Sequence, residues 1–202
     1  MPTRAATQSR AVLRRRFRRA RQMLSRSQQA THARRITQHY LRSPLIRRAQ
    51  RVAMFVAKDG EPDLTQLAVK LTALNKTLAL PVVGVGSRMD FYRYDPSTTL
   101  TPNRYGIGEP PPGSRYLNTR SIDVLLVPLV TFDDAGNRLG MGAGFYDRHL
   151  AQLPMRLRPW LVGVAHEVQR CPGNLPAARW DIPLDAVLTE AGWQTWNLRL
   201  GS

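Results

Sequence analysis

Residues 132–148 read FDDAGNRLGMGAGFYDR. Gly140, Gly142 and Gly144 alternate within them, with Asn137-Arg138 ahead and Tyr146-Asp147-Arg148 behind. Glycines at that spacing let successive backbone N–H groups point into one concavity, which suits phosphate oxygens. A helix opening near Gly144 would add the positive end of its dipole. Asp147, in the first turn of such a helix, would repel a bare polyphosphate; it makes sense as a ligand for the Mg²⁺ that travels with ATP. The segment is neither GxxxxGK[ST] nor GxGxxG, so it is not a Walker loop or a dinucleotide fingerprint. On spacing alone a plain surface turn is the alternative. Its position argues otherwise, because it follows the apolar run IDVLLVP (122–128) and leads into GFYDRHLAQL (144–153).

The elements that must hold this segment are legible as patterns. RVAMFVA (51–57), TLALPVV (77–83), IDVLLVP (122–128), WLVGVA (160–165) and AVLT (186–189) are short apolar runs of the kind buried in parallel sheets. Leu64, Leu67, Leu71 and Leu74 mark a helix between the first two. Residues 84–120, rich in Gly, Pro, Arg and Tyr, read as a hairpin or long loops. The alternation predicts an α/β fold: an open, mostly parallel, Rossmann-like sheet flanked by helices. In such sheets ligands bind beyond the carboxyl ends of the strands, and the glycine segment leaves one at Pro128.

Ahead of the sheet lies a basic helical arm, residues 1–50 of a single 1–202 domain. Leu13, Phe17, Ala20 and Leu24 form one apolar stripe, while Arg10, Arg14, Arg18 and Arg21 share another spacing. A second helix starts at Ser25 or Ser27 and uses Ala33, Ile36, Tyr40 and Leu41 as its apolar side. Residues 1–58 hold fifteen Arg, one Lys and no acid, whereas the remainder carries 14 basic and 14 acidic residues. The net charge of +16 therefore belongs to the arm. It suits nucleic acid, an anionic membrane surface or a small polyanion, or it is a solvated helix face. The last takes the larger share, since so many arginines cannot all reach one small ligand. The first residues are basic and acid-free, as in a transit peptide, but lack the apolar run of a secretory signal. No run of eighteen apolar residues spans a membrane, and the single cysteine, Cys171, fits a reducing cytoplasm.

PLVTFDDAGNRLGMGAGFYDR resembles the signature of the 5-formyltetrahydrofolate cyclo-ligase family, also called 5,10-methenyltetrahydrofolate synthetase. RAVLRRRFRRARQMLS, FVAKDGEPD, YGIGEP (105–110) and WDIPLDAVLTE (180–190) resemble further family segments in the expected order. The resemblance implies ATP- and Mg²⁺-dependent conversion of 5-formyltetrahydrofolate to the 5,10-methenyl form, with ADP and phosphate released. ATP would phosphorylate the formyl oxygen, and N10 would then attack the activated carbon. By the same resemblance, Arg10, Arg14, Arg138, Leu139, Gly140, Met141, Gly142, Ala143, Gly144, Phe145 and Tyr146 meet ATP. Arg14, Val56, Glu61 and Met141 to Phe145 meet the folate. Asp147 and Asp181 bind the metal, and Arg138 and Asp147 are the catalytic pair. Arg10 stands where the family often has Lys, Phe145 for a common Tyr, and Ala143 for a Lys found in some members. A monomer is expected.

Blander readings stand beside these. Asp147 can serve a helix dipole, and Asp181 a turn, with Asp185 as substitute ligand. Glu61 beside Pro62 is a common turn residue. Tyr92, Tyr94 and Tyr105 between Arg93 and Arg104 stack a base or pterin, or merely pack. His32, His39, His149 and His166 show no ligand spacing, so no zinc site is expected. Two other functions remain: nucleic-acid binding through the arm, and phosphosugar or coenzyme A chemistry on a related sheet.

Overall fold

A computed structural model describes residues 9–84 and 88–196. The start of the basic arm, residues 1–8, and residues 85–87 of the Gly- and Pro-rich segment lie outside the described residues.

Two helices open the fold. In α1 (Arg10–Gln22) the Ser9 side chain accepts from the Val12 amide, and in α2 (Arg26–Arg42) Ser25 and Gln28 form a reciprocal capping box. Of the two serines that the sequence offers, Ser25 is therefore the cap. A single turn, α3 (Leu45–Arg48), leads into β1 (Arg51–Ala53). Then come α4 (Thr65–Ala73), β2 (Thr77–Val83), β3 (Met89–Tyr94), β4 (Thr101–Pro102), β5 (Gly108–Glu109) and β6 (Tyr116–Leu117). β7 (Val124–Pro128), β8 (Thr131–Phe132), β9 (Arg138–Leu139) and α5 (Phe145–Ala151) follow. The chain ends on β10 (Trp160–Val164), β11 (Ala186–Thr189) and β12 (Gly192–Thr195).

The main sheet has eight strands in the order β12-β11-β10-β7-β1-β2-β3-β6. The five from β11 to β2 run parallel, while β12, β3 and β6 are antiparallel additions at the two edges. The expected α/β architecture is present, with a mixed rather than purely parallel edge. The segment after residue 84 is more ordered than its composition suggests. Met89 and Phe91 are buried while their neighbours are not, the period-two pattern of a strand with one covered face.

Each sheet face carries its own core. On one, Ile36 and Tyr40 of α2 and Leu67 and Leu71 of α4 cover Val52, Leu78, Val124 and Val162. On the other, Leu150 of α5 joins Phe91, Leu125, Val127 and Val187. A satellite cluster seats Leu13 and Phe17 of α1 on Val130, Leu139, Cys171 and Leu175. Those partners follow the carboxyl ends of β7 and β10, so the arm lies across the sheet edge where ligands bind.

Candidate functional site at the carboxyl edge of the sheet

The glycine segment does not leave β7 directly. A two-stranded hairpin, β8 with β9, intervenes. Its turn is built on buried Asp133, whose carboxylate accepts from the amides of Ala135, Asn137 and Leu175 and from Asn137 Nδ2, at 2.8–3.0 Å. Gly136 takes φ +83° there, and a Cβ would press on the Trp196 ring at 3.1 Å. The hairpin swings Arg138 inward, where it is buried. Its Nη1 donates to the Ile182 carbonyl and its Nη2 to Asp147 Oδ1, the latter at 2.7 Å.

Beyond Leu139 the chain is bare. Met141, Gly142 and Ala143 are exposed. Among the described residues, the amides of Gly140 to Gly144 donate no hydrogen bond to the protein. Gly142 (φ +108°) and Gly144 (φ +65°) occupy backbone conformations that side chains resist. Gly144 caps α5, which has only seven residues, so the free amides carry more of the anion attraction than its dipole does. Arg14 Nε donates to the Gly140 carbonyl at 2.8 Å, and Arg148 Nη2 donates to the Ala143 carbonyl. An open groove of about 770 Å³ runs beside the loop, walled by Arg14, Arg15, Arg18, Arg19 and Met141.

The two predicted metal carboxylates come together despite their separation in sequence. The Ile182 amide donates to Asp147 Oδ1 at 3.1 Å, and Asp181 is the residue before it. Arg10 grips Asp181 with both Nη atoms, at 2.6 and 3.0 Å. Burial works to raise the Asp181 pKa. The Arg10 hydrogen bonds, the Ala178 amide and the charges of Arg10 and Arg138 outweigh it and hold the carboxyl below its ordinary range. The two aspartates differ in what they can still accept. Both Asp181 oxygens are taken, whereas Asp147 Oδ2 has no protein donor among the described residues.

A cavity of about 420 Å³ is lined by Met54, Val56, Gly60, Glu61, Tyr94 and Leu100 among others. It contains the two expected folate contacts, Val56 and Glu61. Burial raises the Glu61 pKa, offset in part by the Arg21 charge and the Lys58 amide. Tyr146 lies between the two halves. Burial and the Glu61 charge push its phenol up, and the Arg138 charge pulls it down. Lys58 Nζ donates to the Tyr105 carbonyl, and the Tyr105 ring meets Phe145 edge-on at 6.0 Å between centroids. Tyr94 and Tyr105 thus border the site, while Tyr92 packs on Tyr116 instead.

Four arginines of the arm are engaged by the protein: Arg10, Arg14, Arg18 and Arg21 are docked on Asp181, the Gly140 carbonyl and Asp59, with Arg18 still half exposed. Arg15, Arg16, Arg19, Arg34 and Arg35 are exposed, the solvated face expected for most of the arm's charge. Arg21 is wholly buried, giving hydrogen bonds to the Asp59 and Leu129 carbonyls and to Asp59 Oδ2, and lying 3.5 Å from Glu61. Sequence reasoning missed its role. The signal was there, since Arg21 sits four residues after Phe17 on the buried stripe and interrupts it with charge. It missed Asp59 and Asp133 as well, and for Asp133 a turn ending in Gly136 was the available clue.

The sheet and its carboxyl edge define an α/β protein with a loop of bare amides and an open cleft lined by Val56 and Glu61. Residues 6–190 match the 5-formyltetrahydrofolate cyclo-ligase family. The chain is 38% identical over 186 residues to the 5-formyltetrahydrofolate cyclo-ligase of Haemophilus influenzae, covering 90% of this chain and 98% of that one. It is likewise 38% identical to the Escherichia coli K12 protein of that name, over 89% of this chain and 100% of the other. The solved structure of Aquifex aeolicus 5,10-methenyltetrahydrofolate synthetase superposes with TM-score 0.79 at 31% identity, over 92% of both chains. The chain belongs to the 5-formyltetrahydrofolate cyclo-ligase family, a family of enzymes.

Proposed function

We propose that the chain converts 5-formyltetrahydrofolate to 5,10-methenyltetrahydrofolate using ATP, with release of ADP and phosphate. The observation that carries this reading is the run of unclaimed amides from Gly140 to Gly144, flanked by Arg14 and Arg138 and opening beside the Glu61 cleft. Triphosphate oxygens would lie against those amides and the arginine-walled groove, with Leu139, Met141, Ala143 and Phe145 packing around the nucleotide. The pterin would enter the cleft, where Glu61 accepts from its ring N–H groups and Val56 supplies apolar contact. The shared residues, Met141 to Phe145, lie between the two ligands, so the γ-phosphoryl group and the formyl oxygen meet at the loop.

A formamide oxygen is a poor leaving group. Transfer of the γ-phosphoryl group to it, attack by N10 on the formyl carbon and departure of phosphate close the five-membered ring. The protein's part is positioning and charge neutralisation, which suits a site built of amides and guanidinium groups. Arg138, held rigid by Asp147 and Ile182, faces developing negative charge without having to reorganise. Asp147 fits a Mg²⁺ ion through its open Oδ2, and such an ion shields phosphate charge when bound. Asp181 fits less readily, because Arg10 must turn from it toward the phosphates first. The nucleic-acid reading keeps the exposed arginines of the arm, such as Arg15, Arg16, Arg19, Arg34 and Arg35, but it gives no role to the bare glycine loop or to Asp147. No described helix is long and apolar enough to cross a membrane. We place the activity in the cytoplasm, in a single-domain monomer.

The test is spectrophotometric. Purified protein with 5-formyltetrahydrofolate and Mg-ATP is expected to generate the methenyl chromophore, and omission of ATP to abolish it. Folded protein that forms no chromophore with both substrates present refutes the proposal.

A further inference from the structure

Beyond the ends of β10 and β11, three side chains from distant segments converge. His32 comes from α2, His166 follows β10, and Glu190 follows β11. The Nδ1 atoms of His32 and His166 are 2.9 Å apart, and Glu190 Oε1 lies 3.4 Å from His32 Nδ1. All three donor atoms fall within 4.8 Å of one another. None of these residues belongs to the site proposed for the nucleotide or the folate.

The hydrogen bonds around the cluster fix which atoms are free to ligate. His166 Nε2 faces the Gly60 carbonyl at 3.1 Å. A carbonyl only accepts, so Nε2 bears the proton and Nδ1 presents a lone pair inward. Glu190 Oε2 accepts from the Glu167 amide at 3.0 Å, which orients Oε1 toward the histidines. A second ring nitrogen bound to a backbone carbonyl is the usual support of a metal-ligating histidine. A tetrahedral ion about 2.0–2.1 Å from each ligand sets neighbouring ligands about 3.3 Å apart. The observed separations of 2.9 and 3.4 Å straddle that value. The His32 and Glu190 side chains stay 16% and 11% exposed, so water can reach a fourth position. The nearby Arg21 charge, which acts on His166, is matched by Asp59 and Glu61.

We propose that His32, His166 and Glu190 bind one divalent transition-metal ion of the zinc class, at a site separate from the Mg²⁺ site of the nucleotide. Two imidazoles and one carboxylate suit zinc or cobalt and do not suit magnesium, which prefers oxygen ligands. The ion ties α2 and the ends of β10 and β11 to the turn at Gly60. Without metal, a proton on His32 Nδ1 shared with His166 and Glu190 holds the same three groups together, so the test must separate the two.

The experiment uses the untagged full chain, stripped with EDTA, exchanged into chelator-free buffer and titrated with ZnCl₂ by calorimetry and CoCl₂ by visible absorption. One equivalent is expected to bind, cobalt is expected to show the intense absorption of a four-coordinate site, and zinc but not magnesium should raise the melting temperature. His32→Gln and Glu190→Gln should each weaken zinc binding by about tenfold or more. The side-chain carbonyl that Glu190→Gln introduces can still accept from the Glu167 amide, and His32 is on a partly exposed helix face, so both variants are expected to melt near the parent in EDTA. His166→Asn serves as the harsher third variant. No binding by the parent, or zinc affinity unchanged in the two folded variants, overturns the proposal and leaves only the shared proton.

Discussion

Arg21→Met isolates the buried contact between the arm and the folate cleft. The guanidinium gives hydrogen bonds to the Asp59 carbonyl (2.9 Å), the Leu129 carbonyl (3.0 Å) and Asp59 Oδ2 (3.0 Å), and lies 3.5 Å from Glu61 Oε1. Methionine refills most of the stem, so a cavity is not the main loss. Removing one member of a buried ion pair costs about 3–5 kcal/mol when its partner is left charged and alone. Two of the three partners are not left alone. Asp59 keeps Arg18 and Gln22, and the Leu129 carbonyl keeps Gln169 Nε2 at 2.8 Å. Glu61 is stranded, retaining the Lys58 amide at 3.1 Å, and the Asp59 carbonyl loses the Arg21 donor. The expected loss is therefore below that range, about 2–3 kcal/mol, or roughly 4–12 °C in melting temperature for a chain of this size.

A kinetic effect accompanies the loss of stability. Burial already raises the Glu61 pKa, and the Arg21 charge opposes it; without that charge the carboxyl protonates at higher pH. A protonated Glu61 accepts less well from the pterin, so KM for 5-formyltetrahydrofolate should climb with acidification from a higher starting pH than in the parent. The kcat at saturating folate should hold, as for loss of uniform binding. Urea unfolding and chromophore kinetics over a series of pH values on the acid side of neutrality supply both readouts. A stability loss within about 0.5 kcal/mol, or KM profiles that superimpose, would refute the reasoning.

Asp147→Asn keeps an oxygen for Arg138 and the Ile182 amide, so the fold should survive while kcat falls by about a hundredfold or more; near-parental turnover removes Asp147 from the reaction. Asp59 is held down at about 2, first by Arg18, then by Arg21 and Gln22 against its burial. Its depressed pKa makes it a stabilising group above its unfolded value of about 3.9. That contribution should fade between about pH 4 and 2, and Asp59→Asn should flatten the acid limb of a stability–pH curve there. Gly142→Ala forces a side chain onto φ +108° and should cost about 1–3 kcal/mol, whereas Gly140→Ala meets no atom within 4 Å and should melt near the parent. Equal melting temperatures for the two would count against the strained loop.

Much of the fold was legible because it rests on local patterns. The apolar runs at 77–83 and 186–189 coincide with β2 and β11, and the leucine period at 64–74 brackets α4. The edge strands were harder. β3 and β6 draw their partners from antiparallel pairing, and half of β3 faces solvent, so composition hides them. The run at 51–57 yields only three strand residues, because after Met54, whose amide still donates to the Ala79 carbonyl, the chain leaves the sheet to line the cleft at Val56. Spacing marked the glycine loop, but not the hairpin that turns Arg138 inward, since that depends on Asp133 reaching the Leu175 amide.

By itself the sequence determined the class of fold, the loop of bare amides and the family, since each is written in contiguous residues. Tertiary structure alone decided which charges meet. Arg10 with Asp181, Arg21 with Asp59 and Glu61, and His32 with His166 are pairs far apart in the chain. The arm's surplus of positive charge stays largely in solvent, and the few arginines that find acids find them after residue 58. Only folding, which carries α1 across the carboxyl edge of the sheet, singles out Arg10, Arg14 and Arg21 and sets them against groups distant in sequence.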